Sequence, residues 1–180
     1  MNGNGPAIMV EKASLAVIVM GVSGSGKTSV GEMMAKNLGC RFVEGDRLHP
    51  AANIEKMEKG VPLTDEDRWP WLDLIGDELA AAVRDGQDIV VTCSALKKIY
   101  RERLRNAAAG RLKFVFLTGD PKVLESRMGA RTGHFMPTSL LQSQLATLES
   151  PEGEPGVVTV NIDAHVDVIV EEALKGLSKN

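Results

Sequence analysis

One short segment, residues 21–28, constrains the fold more than any other part of the chain. Its sequence, GVSGSGKT, matches the pattern G-x-x-x-x-G-K-[ST]. It follows a continuous apolar run at residues 15–20, which is typical of a strand buried on both faces, and it leads into helical spacing at residues 28–38. A glycine-rich turn between a buried strand and a helix is the structure that places backbone N–H groups around phosphate oxygens. The segment, here called the phosphate loop, therefore predicts an α/β domain that binds nucleotide phosphates.

The residue types of the phosphate loop each suit this chemistry. The glycines let the backbone close around phosphate oxygens, and the helix N-terminus adds its partial positive charge. Lys27 is expected to reach the β- and γ-phosphates, and Thr28 is expected to bind Mg²⁺. The predicted nucleotide-binding residues are Gly21, Ser23, Gly24, Ser25, Gly26, Lys27 and Thr28, with Arg127 from a later segment.

Composition excludes several other classes of protein. Apolar residues make up 43% and charged residues 25%, and the net charge of −3 gives no general attraction to nucleic acid or to an anionic membrane. The longest apolar run, residues 15–22, is far shorter than the ~20 residues that span a bilayer. Cys40 and Cys93 form no Cys-x-x-Cys motif. We therefore expect a cytoplasmic protein with no nucleic-acid or membrane partner.

Strand-like and helix-like segments alternate along the chain, which predicts parallel strands joined by crossover helices. Residues 1–14 are rich in Gly and Asn and are expected to be a flexible extension, and residues 15–180 a single domain. Residues 127–144 carry charge, Gly and Pro between two helices, which is typical of a lid. Further strands are predicted at residues 41–44, 88–93, 113–117 and 157–162, and helices at 51–59, 65–84 (interrupted near Pro70), 97–109, 121–131, 139–149 and 166–177.

Two carboxylates follow the second predicted strand, at Glu44 and Asp46. On a strand, two side chains separated by one residue point to the same face. Ligands of open α/β sheets bind at the carboxyl ends of the strands. One carboxylate would orient and deprotonate an attacking hydroxyl, and the other would hold a Mg²⁺-bound water; a solvated turn is the alternative interpretation. No acidic residue ends the third strand, so Mg²⁺ is expected to depend on Thr28, phosphates and water, with Glu44 as a second candidate ligand through water.

Cationic side chains near these carboxylates indicate an anionic acceptor, because Arg binds a carboxylate with two parallel hydrogen bonds. Arg127 and Arg131 are spaced i,i+4, share a helix face and would neutralise a transferring phosphoryl group from the lid; an exposed basic helix face is the alternative. Trp69 and Trp71 are expected in the core, and His165 is expected to have no role. The candidate acceptor-binding residues are Asp46, His49, Lys56, Arg68, Ser94, Lys97 and His134.

Four blocks of the sequence together resemble the gluconokinases, the small P-loop gluconate kinases of bacteria and eukaryotes. The phosphate loop alone is shared by many nucleotide-hydrolysing proteins, whereas the other three blocks and their order are far more specific. The resemblance covers roughly residues 15–175. The blocks are GVSGSGKT (21–28), GDRLHPAANIEKMEKGVPLTDEDRWPWL (45–72), CSALKKIYRERLR (93–105) and HFMPTSLLQSQLATLESP (134–151).

The resemblance implies an α/β P-loop NTP hydrolase fold of the nucleoside-monophosphate-kinase type: a five-stranded parallel sheet in the order 2-3-1-4-5, flanked by helices and covered by a lid. It implies Mg²⁺-dependent phosphorylation of D-gluconate by ATP to 6-phospho-D-gluconate, and often a homodimer. Lys27, Asp46, Arg127 and Arg131 are then the catalytic candidates, with Asp46 matching the acidic residue that meets the acceptor hydroxyl in related kinases. Related sites often read Asp-x-Asp, and Glu44 departs from that pattern.

Other functions remain open at this stage. A shikimate-like or other sugar-acid kinase would differ only in the geometry of its acceptor pocket. A GTPase switch needs an Asn-Lys-x-Asp motif and a transport ATPase a Ser-Gly-Gly-Gln signature, and the chain has neither. A nucleotide-binding module would bind nucleotide without ADP release stimulated by an acceptor.

Overall fold

The computed structural model describes residues 13–130 and 139–179. All the strands that it describes form one parallel sheet in the order β2-β3-β1-β4-β5, which confirms the expected fold and strand order. Helices flank this sheet, and none of those described is long and apolar enough to cross a membrane. The strands are β1 Ala16–Met20, β2 Arg41–Glu44, β3 Ile89–Thr92, β4 Leu112–Thr118 and β5 Val157–Asn161.

The helices follow the predicted segments, with ends shifted by at most a few residues. A single turn of 3₁₀ helix, Gly45–Leu48, connects β2 to the next helix. The helices are α1 Lys27–Leu38, α2 Ala51–Glu58, α3 Asp65–Arg84, α4 Lys98–Ala107, α5 Pro121–Ala130, α6 Ser139–Thr147 and α7 Val166–Lys179.

The core forms around β1, which lies in the centre of the sheet. All five residues of β1 are buried, and Ile18 is paired with Val91 of β3 on one side and Phe114 of β4 on the other. A strand covered on both faces can be apolar at every position, which explains the continuous apolar run in the sequence. Because the strands are parallel, β1, β2 and β3 all end at the same edge, where the phosphate loop begins.

The predicted interruption of the third helix near Pro70 is wrong, because α3 runs through Pro70 without a break. Its N-terminus is held by a capping box: the Thr64 hydroxyl accepts the Asp67 N–H at 3.1 Å, and the Asp67 carboxylate accepts the Thr64 N–H at 2.9 Å. Beyond the proline, Trp71 and Ile75 are buried and anchor the helix to the core. Pro70 lies on the exposed side of α3, and so does Glu66, whose carbonyl would otherwise accept the N–H of residue 70. The strong cap and the buried face outweigh the cost of this lost hydrogen bond.

Two predicted segments fall partly outside the described residues. Residues 1–12 of the expected extension and residues 131–138 of the expected lid are not described, and Arg131 and His134 lie among them. The division into an extension, one kinase domain and a lid therefore stays a prediction.

Candidate active site

The phosphate loop is a tight turn between β1 and α1 whose shape depends on glycine. Gly21, Gly24 and Gly26 have φ angles of 148°, 82° and 89°, a region that other residues rarely adopt. A Cβ atom on Gly24 would lie 2.8 Å from the carbonyl oxygen of Leu124. The ammonium group of Lys27 reaches back over the loop and donates to the Val22 carbonyl at 3.1 Å. A glycine turn of this kind at a helix N-terminus, with a lysine beside it, is the arrangement that binds phosphate in proteins.

Helix α6 contacts this loop directly through Gln144. The backbone N–H of Ser23 donates to Oε1 of Gln144 at 2.8 Å, although the two residues are far apart in the sequence. Gln144 cannot be found from the sequence, because a glutamine on a helix has no local pattern that marks it as part of a site. Only the tertiary approach of α6 to the loop gives this side chain a place in the site.

Glu44 is held at the end of β2 by two hydroxyl groups. The Thr28 hydroxyl donates to Oε2 of Glu44 at 2.5 Å, and the Thr92 hydroxyl donates to its Oε1. Thr92 in turn accepts the N–H of Gly45 at 3.0 Å. Carboxylate and hydroxyl oxygens suit Mg²⁺, which keeps several waters and is usually bound by one or two carboxylates together with substrate phosphates. The described residues contain no group of three or more His, Cys, Asp or Glu placed to hold a metal, so this pair fits an ion that also takes ligands from phosphate and water.

A cavity of about 280 Å³ separates the phosphate loop from the residues that follow β2 and β3. We call it the acceptor cavity. Asp46 lies in the 3₁₀ turn rather than on the strand, so the alternation argued from the sequence does not apply to it, yet it and Glu44 line the same cavity. Apolar side chains such as Met57 and Leu140 complete the wall. The cavity brings together these predicted residues: Ser23, Gly24, Gly26, Lys27, Thr28, Glu44, Asp46, His49, Arg68 and Ser94.

Arg68 is a buried cation in the wall of the acceptor cavity, and its side chain is only 8% exposed. Its guanidinium lies 5.4 Å from the centre of the Tyr100 ring, and its Nε is buried without a hydrogen-bond partner among the described residues. No described carboxylate forms an ion pair with this guanidinium, although the charge of Asp65 acts on it from farther away. A buried charge without a close counter-ion is costly, because it has lost part of its hydration. Arg68 thus places a positive charge in the wall of the cavity, opposite in sign to the carboxylates of Glu44 and Asp46 that line it too.

His49 is buried beside Arg68 and stacks on Trp71, with the ring centres 3.9 Å apart. Burial lowers the pKa of His49 to about 3, and the nearby charge of Arg68 lowers it in the same direction. The imidazole is therefore neutral at pH 7. Trp71 is 1% exposed and donates from its indole nitrogen to the Gly45 carbonyl, which confirms it as a core residue.

Lys56 and Lys97, in contrast, are not among the residues that line the acceptor cavity. Lys56 donates to Asp67 at 2.7 Å, and Lys97 donates to Asp65 at 3.0 Å. The hydrogen bond from Lys56 is the main reason that the pKa of Asp67 falls to about 2. Both lysines thus hold the first turn of α3, the helix that carries Arg68.

A second cavity, of about 490 Å³, lies on the other side of the phosphate loop. It is lined by Gly24, Ser25 and Gly26 of the loop, together with Arg127 of α5 and His165 before α7. Arg127 donates to the carbonyl of Ile162 at 2.9 Å, which holds the guanidinium beside the loop. The sequence predicts no role for His165, because nothing local in the sequence places it beside the phosphate loop. Arg127 lies close to the loop, because a Cβ atom on Gly26 would be 3.9 Å from its Nη1, and the cavity extends from there toward the start of α7.

A parallel sheet in this order, a phosphate loop after its central strand and a polar cavity beside that loop define a P-loop kinase. Similarity to known proteins supports this class. Residues 17–151 match a protein-family model described as an AAA domain. The chain is 50% identical over 159 residues to a gluconokinase of Gluconobacter oxydans, covering 88% of this chain and 89% of that one. It therefore belongs to the gluconokinase family, as the sequence resemblance predicted.

Solved structures agree with this assignment. The crystal structure of a gluconokinase from Sinorhizobium meliloti 1021 superposes with a TM-score of 0.85 at 55% identity, covering 93% of this chain and 94% of that chain. A sugar kinase from Janibacter superposes with a TM-score of 0.86 at 44% identity, covering 92% and 95%. None of these matches favours the alternative of a nucleotide switch or a binding module.

Proposed function

We propose that this protein transfers the γ-phosphoryl group of ATP to the terminal hydroxyl of D-gluconate, giving ADP and 6-phospho-D-gluconate. Besides membership of the family, one observation supports this proposal. The buried guanidinium of Arg68 lines the same cavity as Lys27 and Asp46. A sugar acid has a carboxylate for Arg68 at one end and a hydroxyl for Asp46 at the other.

On the phosphate side, positioning and charge neutralisation are the main work of the protein. Backbone N–H groups of the phosphate loop and the ammonium group of Lys27 bind the β- and γ-phosphates. Arg127, with Arg131 from the predicted lid, neutralises charge that spreads over the transferring group. Thr28 and Glu44 would hold Mg²⁺, which when bound neutralises part of the phosphate charge. The hydrogen bond between Thr28 and Glu44 supports this pairing.

On the acceptor side, Asp46 orients the terminal hydroxyl in line with the γ-phosphorus. The bond from the acceptor oxygen to phosphorus forms while the bond from phosphorus to the β,γ-bridging oxygen breaks, and ADP leaves with that electron pair. The hydroxyl proton passes to the Asp46 carboxylate late in the transfer. Arg68 binds the substrate carboxylate, and His49 and Ser94 contact oxygens along the chain; their common cavity supports these roles.

Exclusion of water matters in such a reaction, because water competes with the hydroxyl as an acceptor and wastes ATP. We propose that residues 127–144 act as the lid that excludes it. The hydrogen bond from Ser23 to Gln144 supports this role, since it links the C-terminal end of the proposed lid to the phosphate loop.

The proposal is tested by Mg²⁺- and ATP-dependent ADP release with gluconate, other sugar acids, shikimate and no acceptor. Strong stimulation by gluconate alone is expected. Stimulation by a different acid would keep the kinase reaction but overturn gluconate as the acceptor. Binding of ATP with no stimulation by any acid would indicate a nucleotide-binding module instead. Lys27→Ala and Asp46→Asn are expected to lose turnover while the protein remains folded.

A homodimer in the cytoplasm is a further part of the proposal. The resemblance supports the dimer, and so do two exposed apolar side chains, Leu74 on α3 and Ile99 on α4, since these helices pack on one another. Cys40 and Cys93 are both free thiols, which supports a reducing compartment. Sedimentation velocity tests the dimer, and a protein that stays monomeric at micromolar concentration would contradict it.

A further inference from the structure

The two ring nitrogens of His49 have different surroundings. Nδ1 lies 3.3 Å from the amide nitrogen of Asn53, and one face of the ring is covered by Trp71. Nε2 has no hydrogen-bond partner among the described residues, yet it is not one of the fully buried polar atoms that lack one. Because His49 lines the acceptor cavity, the edge of the ring that carries Nε2 faces that cavity.

The Asn53 amide determines which nitrogen of His49 carries the hydrogen. Its Nδ2 also donates to the backbone carbonyl of Asp67 at 2.9 Å. A carbonyl oxygen can only accept, so this contact requires the amide nitrogen, and not the amide oxygen, to point toward both partners. The second hydrogen of that nitrogen is then directed at Nδ1 of His49. Nδ1 must be the unprotonated acceptor, and a neutral ring carries its hydrogen on Nε2.

We infer that His49 binds the sugar acid as a neutral donor, through a hydrogen bond from Nε2–H to one of its oxygens, and that Asn53 is the positioning residue that fixes this tautomer. The nature of the ligand rests on the proposed function, whereas the tautomer rests on the contacts of the free protein. In this tautomer His49 presents no lone pair to the acceptor cavity. It therefore binds oxygen lone pairs and cannot take the proton of the acceptor hydroxyl, which leaves that proton to Asp46.

The surroundings of His49 agree with a neutral donor. The ring is buried, and the positive charge of Arg68 opposes a second positive charge beside it. Arg68 attracts the carboxylate of a ligand, and a neutral N–H next to it binds another oxygen of the same molecule without competing for a proton. The ring cannot rotate freely, because it stacks on Trp71 at an interplanar angle of 16°. The donor direction is thus set before the ligand arrives.

The first test is the nitrogen spectrum of the free protein labelled with ¹⁵N-histidine at pH 7. The chain has three histidines, and the His49 signals are assigned by their loss in His49→Gln. We expect the pattern of a neutral ring protonated at Nε2. A pattern of protonation at Nδ1, or of a charged ring, would overturn the inference. This result does not depend on any activity, so a failure of gluconate as substrate would leave it standing and would count against the proposed function alone.

The second test concerns Asn53. Asn53→Asp replaces the donor with an acceptor, so we expect the ring to switch to Nδ1–H. The KM for gluconate should rise about tenfold, the value of one hydrogen bond, while kcat changes by less than about threefold. Lys56→Met is the matched control for the tautomer, because Lys56 also joins α2 to Asp67 but is not bonded to His49. An unchanged tautomer or an unchanged KM in Asn53→Asp would overturn the role of Asn53. If Asn53→Asp does not fold, the nitrogen spectra of Asn53→Ala and of the unaltered protein test the role of Asn53 in fixing the tautomer.

Discussion

The side-chain oxygen of Gln144 accepts the backbone N–H of Ser23 at 2.8 Å, so α6 and the phosphate loop are joined by a direct hydrogen bond. Backbone N–H groups of this loop are the donors that bind phosphate oxygens. The side chain at position 144 therefore contacts the loop that is proposed to bind the nucleotide phosphates. The contact connects the C-terminal end of the proposed lid with the site of phosphoryl transfer.

Gln144→Glu is expected to weaken ATP binding about tenfold or more. The new carboxylate keeps the contact with Ser23 but adds a negative charge beside the phosphates, which it repels. Gln142→Glu is the matched control, because Gln142 lies on the same helix and its partner is the exposed Glu125. The Kd for ATP from calorimetry measures the effect. An equal loss of affinity in both variants would contradict a local effect at the loop.

Glu44→Gln is expected to lower kcat about a hundredfold and to raise the Mg²⁺ concentration required for half-maximal rate. The amide can keep one hydrogen bond with Thr28 or Thr92, but it has no charge for the metal ion. A titration of rate against Mg²⁺ at saturating ATP and gluconate measures both quantities. If the variant needs no more Mg²⁺ than the unaltered protein, Glu44 does not act through the metal.

Arg68→Met is expected to move activity and stability in opposite directions. The KM for gluconate should rise about a hundredfold, because the substrate carboxylate loses its buried cation. The free energy of unfolding without ligand should increase, because an apolar side chain replaces a buried guanidinium whose Nε has no hydrogen-bond partner among the described residues. Arg103→Met is the control: Arg103 pairs with Asp73 and stacks on Trp69 at the surface. Kinetics and urea denaturation test both effects, and a destabilised Arg68→Met protein would show that the charge is already compensated.

Gly45→Ala is expected to destabilise the protein by about 3 kcal/mol or more. A Cβ atom at this position would lie 1.8 Å from the carbonyl oxygen of Thr92, so β2 and β3 would have to separate where Glu44 is held. Gly129→Ala is the matched control, because nothing lies within 4 Å of a Cβ atom there and its backbone is helical. That change should be neutral or stabilising by up to about 1 kcal/mol. Urea denaturation compares the two, and equal stability of the two variants would contradict the close approach at Gly45.

The lowered pKa of Glu154 in the folded protein predicts that stability depends on pH. Burial by itself would raise the pKa of Glu154, but hydrogen bonds from Arg101 and Arg105 outweigh burial and hold the pKa below its ordinary value. A lowered carboxylate pKa contributes stability that is present above the unfolded-state pKa of about 4.3 and is lost as the pH falls through the folded-state value.

The free energy of unfolding should therefore fall on acidification below pH about 4.3 in the unaltered protein, and less so in Glu154→Gln. At pH 7 the variant should be clearly less stable, because the fully buried Arg101 would lose its anion. Denaturation of both proteins at several pH values measures the difference. If the difference in free energy of unfolding between the two proteins stays constant down to acid pH, Glu154 does not titrate in this pH range.

The phosphate loop, the alternation of strands and helices and the family can all be predicted from the amino-acid sequence alone. These features are local: the loop is one contiguous segment, and each strand and helix is encoded by the spacing of its own apolar residues. Glu44 and Asp46 were also found in this way, because residues that follow parallel strands meet at one edge of the sheet.

The polar side chains that line the acceptor cavity, in contrast, are identified by the three-dimensional structure and not by the sequence. Arg68, Lys56 and Lys97 are equivalent in the sequence, yet Asp67 and Asp65 pair with the two lysines and leave the arginine toward the cavity. Gln144 and Asn53 gain their roles from partners on other elements of the fold, and Pro70 is accommodated because it lies on the exposed side of α3. Such pairings depend on distances between segments far apart in the chain, and the free energy that selects among them comes from packing and desolvation that no local pattern records.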